Sequence, residues 1–266
     1  MLRIDAKAVP HRTHGRTMPA ATLLACLFAW VADAAQRDFY FEAATRPGDL
    51  LQQSVTDLAQ DEQGFVWIAT QGGLHRLDSS GVRQFALRLG DDSSLPEGFV
   101  TSIAPGEPGE LWVGTRSRYL SRLDLDTGRF ESLVEPGPGI GVIDLLHVPD
   151  QGLWIAAADR IQWKANGRLP VTLPAPGGST LTPLALSRSP DGRVFLAARQ
   201  GVFALDPNLG IRRILPGLAA NAILAETDAL LLATDDGLLR YRSDTQSLET
   251  VWPGPTSQAA GRAVLQ

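Results

Sequence analysis

The chain has 266 residues, 44% of them hydrophobic and 20% charged, with Gly 26 and Pro 18, which excludes collagen, a long coiled coil and a wholly disordered chain. A formal net charge of −5 gives no basic footprint for nucleic acid, and the mean hydropathy is too low for several membrane spans. The single cysteine, Cys26, excludes an internal disulfide framework and a cysteine-built zinc site.

Arg3, Lys7, Arg12 and Arg16 precede an apolar stretch from Pro19 to Trp30, followed by Val31-Ala32-Asp33-Ala34. A basic start, an apolar middle and a small-x-small end predict a secretory signal peptide over residues 1–34, cleaved after Ala34. The apolar run is ~12 residues against the ~20 of a spanning helix, which disfavours an uncleaved anchor. Leu23-Leu24-Ala25-Cys26 has the look of a bacterial lipoprotein box, but Leu27-Phe28-Ala29-Trp30-Val31 carries the apolar run past the cysteine as a signal core would. Removing residues 1–34 takes away four basic residues and two acidic ones, Asp5 and Asp33, so 24 and 29 become 20 and 27, a net charge of −7. A cysteine-free acidic product suits an oxidising periplasm. Residues 35–54 read as a lead-in strand and linker.

From Val55 one unit recurs. Val55-Thr56-Asp57-Leu58-Ala59 leads to Gly64-Phe65-Val66-Trp67-Ile68-Ala69-Thr70 and Gly73-Leu74-His75-Arg76-Leu77-Asp78, and the same order returns at Val100 to Ala104, Gly109 to Thr115 and Leu120 to Asp124. Fainter copies run through Val142 to Trp163, Leu184 to Asp206 and Ala222 to Tyr241. The anchors Trp67, Trp112, Trp154, Phe195 and Leu231 are 45, 42, 41 and 36 residues apart, near the ~40–45 of a four-stranded propeller blade. The fold class is therefore all-β, a β-propeller with blades near 55–90, 100–135, 141–175, 181–215 and 220–252 and a further blade begun at 261–266. Ala219 to Leu232 is apolar enough for a helix, yet its place in the repeat predicts two strands around a Glu226-Thr227-Asp228 turn. The propeller is either an incomplete portion of a longer one, the preferred reading, or five blades that close with help from an Arg37 to Phe41 strand.

The pattern V-T-x-[LI]-A-x-D-x-x-G-x-x-W-[IV]-[AG]-T followed by G-L-x-R-L-D resembles the two-component regulator propeller repeat of bacterial sensors, and Leu95-Pro96 with Phe99-Val100-Thr101 resembles that family's inter-blade segment. The resemblance covers roughly Val55 to Tyr241 and is strongest in the first two units. It departs at Pro105-Gly106-Glu107-Pro108, in place of an acidic turn, and at Arg118-Tyr119, where one residue is added. The resemblance implies a periplasmic, non-catalytic, ligand-sensing propeller of a signal-transduction receptor. In an intact receptor a membrane helix and a histidine kinase or diguanylate cyclase output would follow, here cut away. It also implies a small-molecule ligand such as a saccharide and a homodimer through propeller faces. An exported carbohydrate hydrolase or lyase, or an interaction scaffold, is the alternative.

The sequence points to no catalytic residue, no metal ligand and no cofactor, and it singles out no ligand-binding residue. His75 and His147, the two histidines after residue 34, lack partners at ligand spacing and read as surface or strand residues. Gly137-Pro138-Gly139-Ile140-Gly141 lacks the helix and lysine of a phosphate loop. Asp91-Asp92 and Asp235-Asp236 read as turns rather than glycosidase carboxylates. Trp163 and Trp252 fall outside the anchor register and are the weak candidates for an exposed contact. Arg76, Arg122 and Arg240 share one strand position and predict either a ring on one face or solvent-facing decoration; Lys164 is the only lysine after residue 34.

Overall fold

A computed structural model describes residues 43–117, 119–134, 141–178 and 180–253. The signal segment 1–34, the Arg37 to Phe41 strand, residues 137–140 of the Gly137 to Gly141 loop and the blade start at 261–266 lie outside them. The repeat register is realised strand by strand. The first blade is β1 (Val55–Gln60), β2 (Val66–Thr70), β3 (Gly73–Asp78) and β4 (Gly81–Phe85); the second is β5 (Val100–Pro105), β6 (Glu110–Thr115), β7 (Tyr119–Asp124) and β8 (Phe130–Val134). The third blade comprises β9 (Val142–Val148), β10 (Gly152–Ala157), β11 (Arg160–Lys164) and β12 (Val171–Leu173), and the fourth β13 (Pro183–Arg188), β14 (Val194–Ala198), β15 (Gly201–Asp206) and β16 (Gly210–Pro216). The fifth is β17 (Ala222–Ala225), β18 (Ala229–Thr234), β19 (Gly237–Arg242) and β20 (Ser247–Pro253). Each is a four-stranded antiparallel meander in chain order, and the two-strand reading of Ala219 to Leu232 holds.

Local chemistry explains the hairpins. Asp78, Asp124 and Asp206 end third strands, and their carboxylates accept the amides of Ser80, Thr127 and Asn208, closing the following turns. Asp61 does the same between β1 and β2: one carboxylate oxygen accepts the Gln63 and Phe65 amides while the other accepts the Trp67 indole N–H at 2.8 Å. Blade two has Pro105-Gly106-Glu107-Pro108 there and closes through backbone alone, from Gly106 N–H to the Glu110 carbonyl at 2.9 Å. Asp91 and Asp235 sit in turns as well, accepting the Ser93 amide and the Asn221 side chain.

Period-two alternation decides which blade each face meets. The anchor rings point toward the following blade. Trp67 packs with Leu111, Val113, Leu123 and Phe130, Trp112 with Leu145, Leu153 and Ile155, Trp154 with Val194, Leu196 and Phe203, and Phe195 with Ile223, Leu230 and Leu232. The first strands accordingly adjoin in the series β1, β5, β9, β13, β17. The ends of the series are less covered: Leu58 on β1 is 61% exposed, and the fifth anchor, Leu231, is only half-buried. The back of blade one is partly covered by the chain before β1, where Leu51 N–H donates to His75 Nε2 at 2.9 Å and the Gln84 amide donates to the Asp49 carbonyl.

The small residue after each anchor lies where blades crowd. A Cβ built on Gly114 would fall 2.5 Å from Val142 Cγ1 of the next first strand, closer than any carbon pair tolerates. Gly114→Val should therefore lower unfolding free energy by roughly 2–4 kcal/mol, read as a reduced urea midpoint; a midpoint within error of the parent would show that the blades do not meet at this distance.

Candidate functional site

Two polar constellations stand out from the packing. The first threads the first strands near their bulges. Asp57 accepts the Ile103 amide at 2.8 Å, Ser102 accepts the Leu145 amide at 3.1 Å, and Asp144 accepts the Leu186 amide at 2.7 Å. Asp57, Ser102 and Asp144 occupy equivalent register positions, so each blade caps an amide of the next. Blade four has Ala185 at this position, and Ser187, two residues on, accepts the Ala225 amide instead.

Ser102 Oγ lies 3.0 Å from Asp57 Oδ2 and 3.2 Å from Asp144 Oδ1, and one hydroxyl proton serves only one of them. Burial, reinforced by the Asp57 charge, pushes the Asp144 carboxyl up to about 7, and burial also raises Asp57. The consistent arrangement is a protonated Asp144 donating to Ser102 Oγ, which donates to Asp57. Each carboxylate and hydroxyl of this ladder is hydrogen-bonded within the protein, so it fastens blades together.

Both histidines are strand residues, His75 on β3 and His147 on β9. His75 is fully buried, with Nε2 accepting from Leu51 N–H and Nδ1 donating to the Ile68 carbonyl at 3.2 Å; this fixes a neutral tautomer, and burial lowers its pKa. His147, with a side chain only 6% exposed, faces Glu107 at 3.4 Å. Arg76, Arg122 and Arg240 do share a register position, each opposite its anchor, and each is held by carboxylates. They are partly buried ion pairs, with Asp78 at 3.2 Å, with Glu110 and Glu131 at 2.5 and 2.6 Å, and with Glu226 at 3.8 Å. Trp163 stands in that same register opposite Trp154, half-buried, its indole donating to the Gln151 carbonyl. It is thus within the repeat after all, and the exposed tryptophan is Trp252, at 70%.

The second constellation is a cleft of about 410 Å³ between blades two and three, on the end carrying the first-to-second and third-to-fourth strand hairpins. Trp112, Arg122, Glu131 and Leu133 line it from one blade, and Lys164, Asn166, Arg168 and Leu169 from the other. Hollows of about 730 and 150 Å³ lie on the same end around blades four and five. Lys164 is only 9% exposed, its ammonium 4.9 Å from the Trp112 ring centroid and 3.5 Å from the Ala165 carbonyl. Its register partner is Leu153, so it occupies the third-strand position that Leu77, Leu123, Leu205 and Tyr241 fill in the other blades. Sequence reasoning noted the isolated lysine but not this; aligning, in each third strand, the residue after the one opposite the anchor would have exposed the substitution.

The comparisons agree with this architecture. A family profile described as two component regulator propeller matches residues 49–72 and 94–117, and no curated protein matches. Among solved structures, a virginiamycin B lyase from Staphylococcus aureus bound to quinupristin is 17% identical, with 79% of this chain and 74% of that one covered and a TM-score of 0.64. The extracellular domain described for a hybrid two component system of B. thetaiotaomicron is also 17% identical, with a TM-score of 0.52; 76% of this chain is covered but only 33% of that one. At these identities the likeness is one of fold.

The titrations have opposite signs. For Asp144 the folded-state value lies above the unfolded one, so the native state binds the extra proton between about pH 4 and 7 and stability falls as pH rises through that window. Asp144→Asn, which keeps the amide cap and donates to Ser102, should flatten the slope and be more stable at pH 7.5 by roughly 2–4 kcal/mol, measured by denaturant titration at each pH; an unchanged slope would refute the buried proton. For His75 the folded value is depressed, so stability present above about pH 6.5 is lost as pH falls below it. In the Asp144→Asn background His75→Gln should remove that acid-side loss. Persistence of the loss would place its origin elsewhere. The two matched segments coincide with the inner hairpins of the first two blades, which are similar to two-component regulator propeller repeats.

Proposed function

We propose that this chain is the exported, ligand-sensing propeller region of a bacterial signal-transduction receptor and is itself non-catalytic. The observation that carries the reading is the coincidence of the two matched repeats with the inner hairpins of blades one and two. The extracellular domain of a two component system with the same fold supports it, as does the signal-like pattern of residues 1–34. Ligand would engage the hairpin end, where the inter-blade hollows lie. Binding shifts the population of propeller arrangements, most simply those of a homodimer, and a membrane helix in the longer receptor passes the change to a kinase or cyclase output. A lyase and a peptidase share the architecture, yet folds do not carry chemistry with them. The buried histidine that could act as a base, His75, has both nitrogens committed to the backbone.

Expression of the full chain in a Gram-negative host tests export. The expected outcome is a periplasmic product whose intact mass corresponds to a first residue of Ala35. A product that keeps residues 1–34 and fractionates with the cytosol would overturn the reading.

A further inference from the structure

The anomaly in the cleft is a cation in a leucine's place. The third-strand position that holds Leu77, Leu123, Leu205 and Tyr241 in four blades holds Lys164 in the third. Burying an ammonium costs several kcal/mol unless it is paired, so the substitution needs compensation. The structure supplies the Trp112 ring at 4.9 Å, one carbonyl at 3.5 Å and the longer-range attraction of Glu110 and Glu131, which does not offset the burial. No carboxylate of the described residues stands within 4.0 Å of Lys164. Those nearby are committed elsewhere, Glu110 and Glu131 to Arg122, and Glu107 to His147 and the Asn166 amide. Burial accordingly lowers the Lys164 pKa. Arg168, on the lip of the same cleft, is exposed and makes no ion pair among the described residues.

We propose that the cleft between blades two and three is a binding site for a small organic monocarboxylate, whose anionic head pairs with Lys164 and Arg168 while its body lies between Leu133, Leu169 and the edge of Trp112. The ammonium sits in a cleft open enough to admit a small molecule, and the bound anion supplies the pairing that the fold leaves out. A single negative charge fits better than a phosphate dianion because Glu110 and Glu131 remain close by. The assignment rests on the hairpin end being the sensing end, and it deepens that reading by naming the chemistry of the ligand.

Because Lys164 is the only lysine beyond residue 34, selective ¹³C-lysine labelling gives one reporter at the site in the signal-cleaved chain. Acetate, benzoate and glucuronate are titrated at constant ionic strength, with benzyl alcohol and glucose as neutral counterparts. At least one carboxylate is expected to move the Lys164 Cε–Hε resonance saturably, with its neutral counterpart silent. Lys164→Leu, which restores the residue of the other blades, should keep or raise the urea midpoint while weakening binding by calorimetry at least roughly tenfold; Arg168→Gln should weaken it about threefold or more. The proposal is overturned if no carboxylate saturates the resonance, if the neutral counterparts act equally, or if Lys164→Leu binds as the parent does. It is equally overturned if Lys164→Leu markedly destabilises the fold, since the lysine would then serve stability. Export and signal cleavage are unaffected by any of these results, so the two readings fail separately.

Discussion

Each blade has one ring-bearing face, and it buries that face against the sheet that follows. This constraint organises the molecule. A four-stranded meander is too thin to hold a core of its own, so Trp67, Trp112, Trp154 and Phe195 complete their packing with apolar residues of the next repeat. The small residue after each anchor lets neighbouring sheets come close enough, as Gly114 does against Val142. At the two ends of the described series Leu58 is exposed and Leu231 only half-buried.

The polar ladder solves a second problem created by that packing. First strands bulge as they leave the hairpin register, which frees one amide per blade for a side chain of the preceding blade. Asp57, Ser102 and Asp144 meet this need, and Ser187 meets it from a neighbouring row once Ala185 has replaced the polar residue. The cost is a carboxyl whose affinity for its proton burial pushes up to about 7. Such groups resemble an active site by their perturbed titration, but here the hydrogen bonds are closed within the protein. The inter-blade cleft is the opposite case, with an ammonium left without a carboxylate partner and a space beside it.

The strands were legible in the sequence because their signals are local. Alternation, glycine turns and the Asp that ends three of the third strands act over a few residues, and the five four-stranded sheets fall within the blade ranges those signals predict. Sequence reasoning was less successful with side chains whose surroundings come from another blade. His75 read as a strand or surface residue; its burial depends on Leu51, which lies across the back of the sheet. Arg122 read as one of a set; its two carboxylates come from the strands on either side of it. Trp163 seemed to lie outside the register because only second-strand anchors were aligned.

The sequence by itself determined the repeat, its period, the four strands of each unit and the turns between them, since each follows from residue chemistry within about ten positions. It also carried the family pattern in the two best copies. Tertiary structure alone decided which face of each blade is covered, which carboxyl keeps its proton and which lysine lies in a leucine's position facing a cleft. Those properties arise from burial and from contacts some forty residues apart in the chain, such as Asp57 with Ile103, and no periodicity records how two neighbouring sheets fit together.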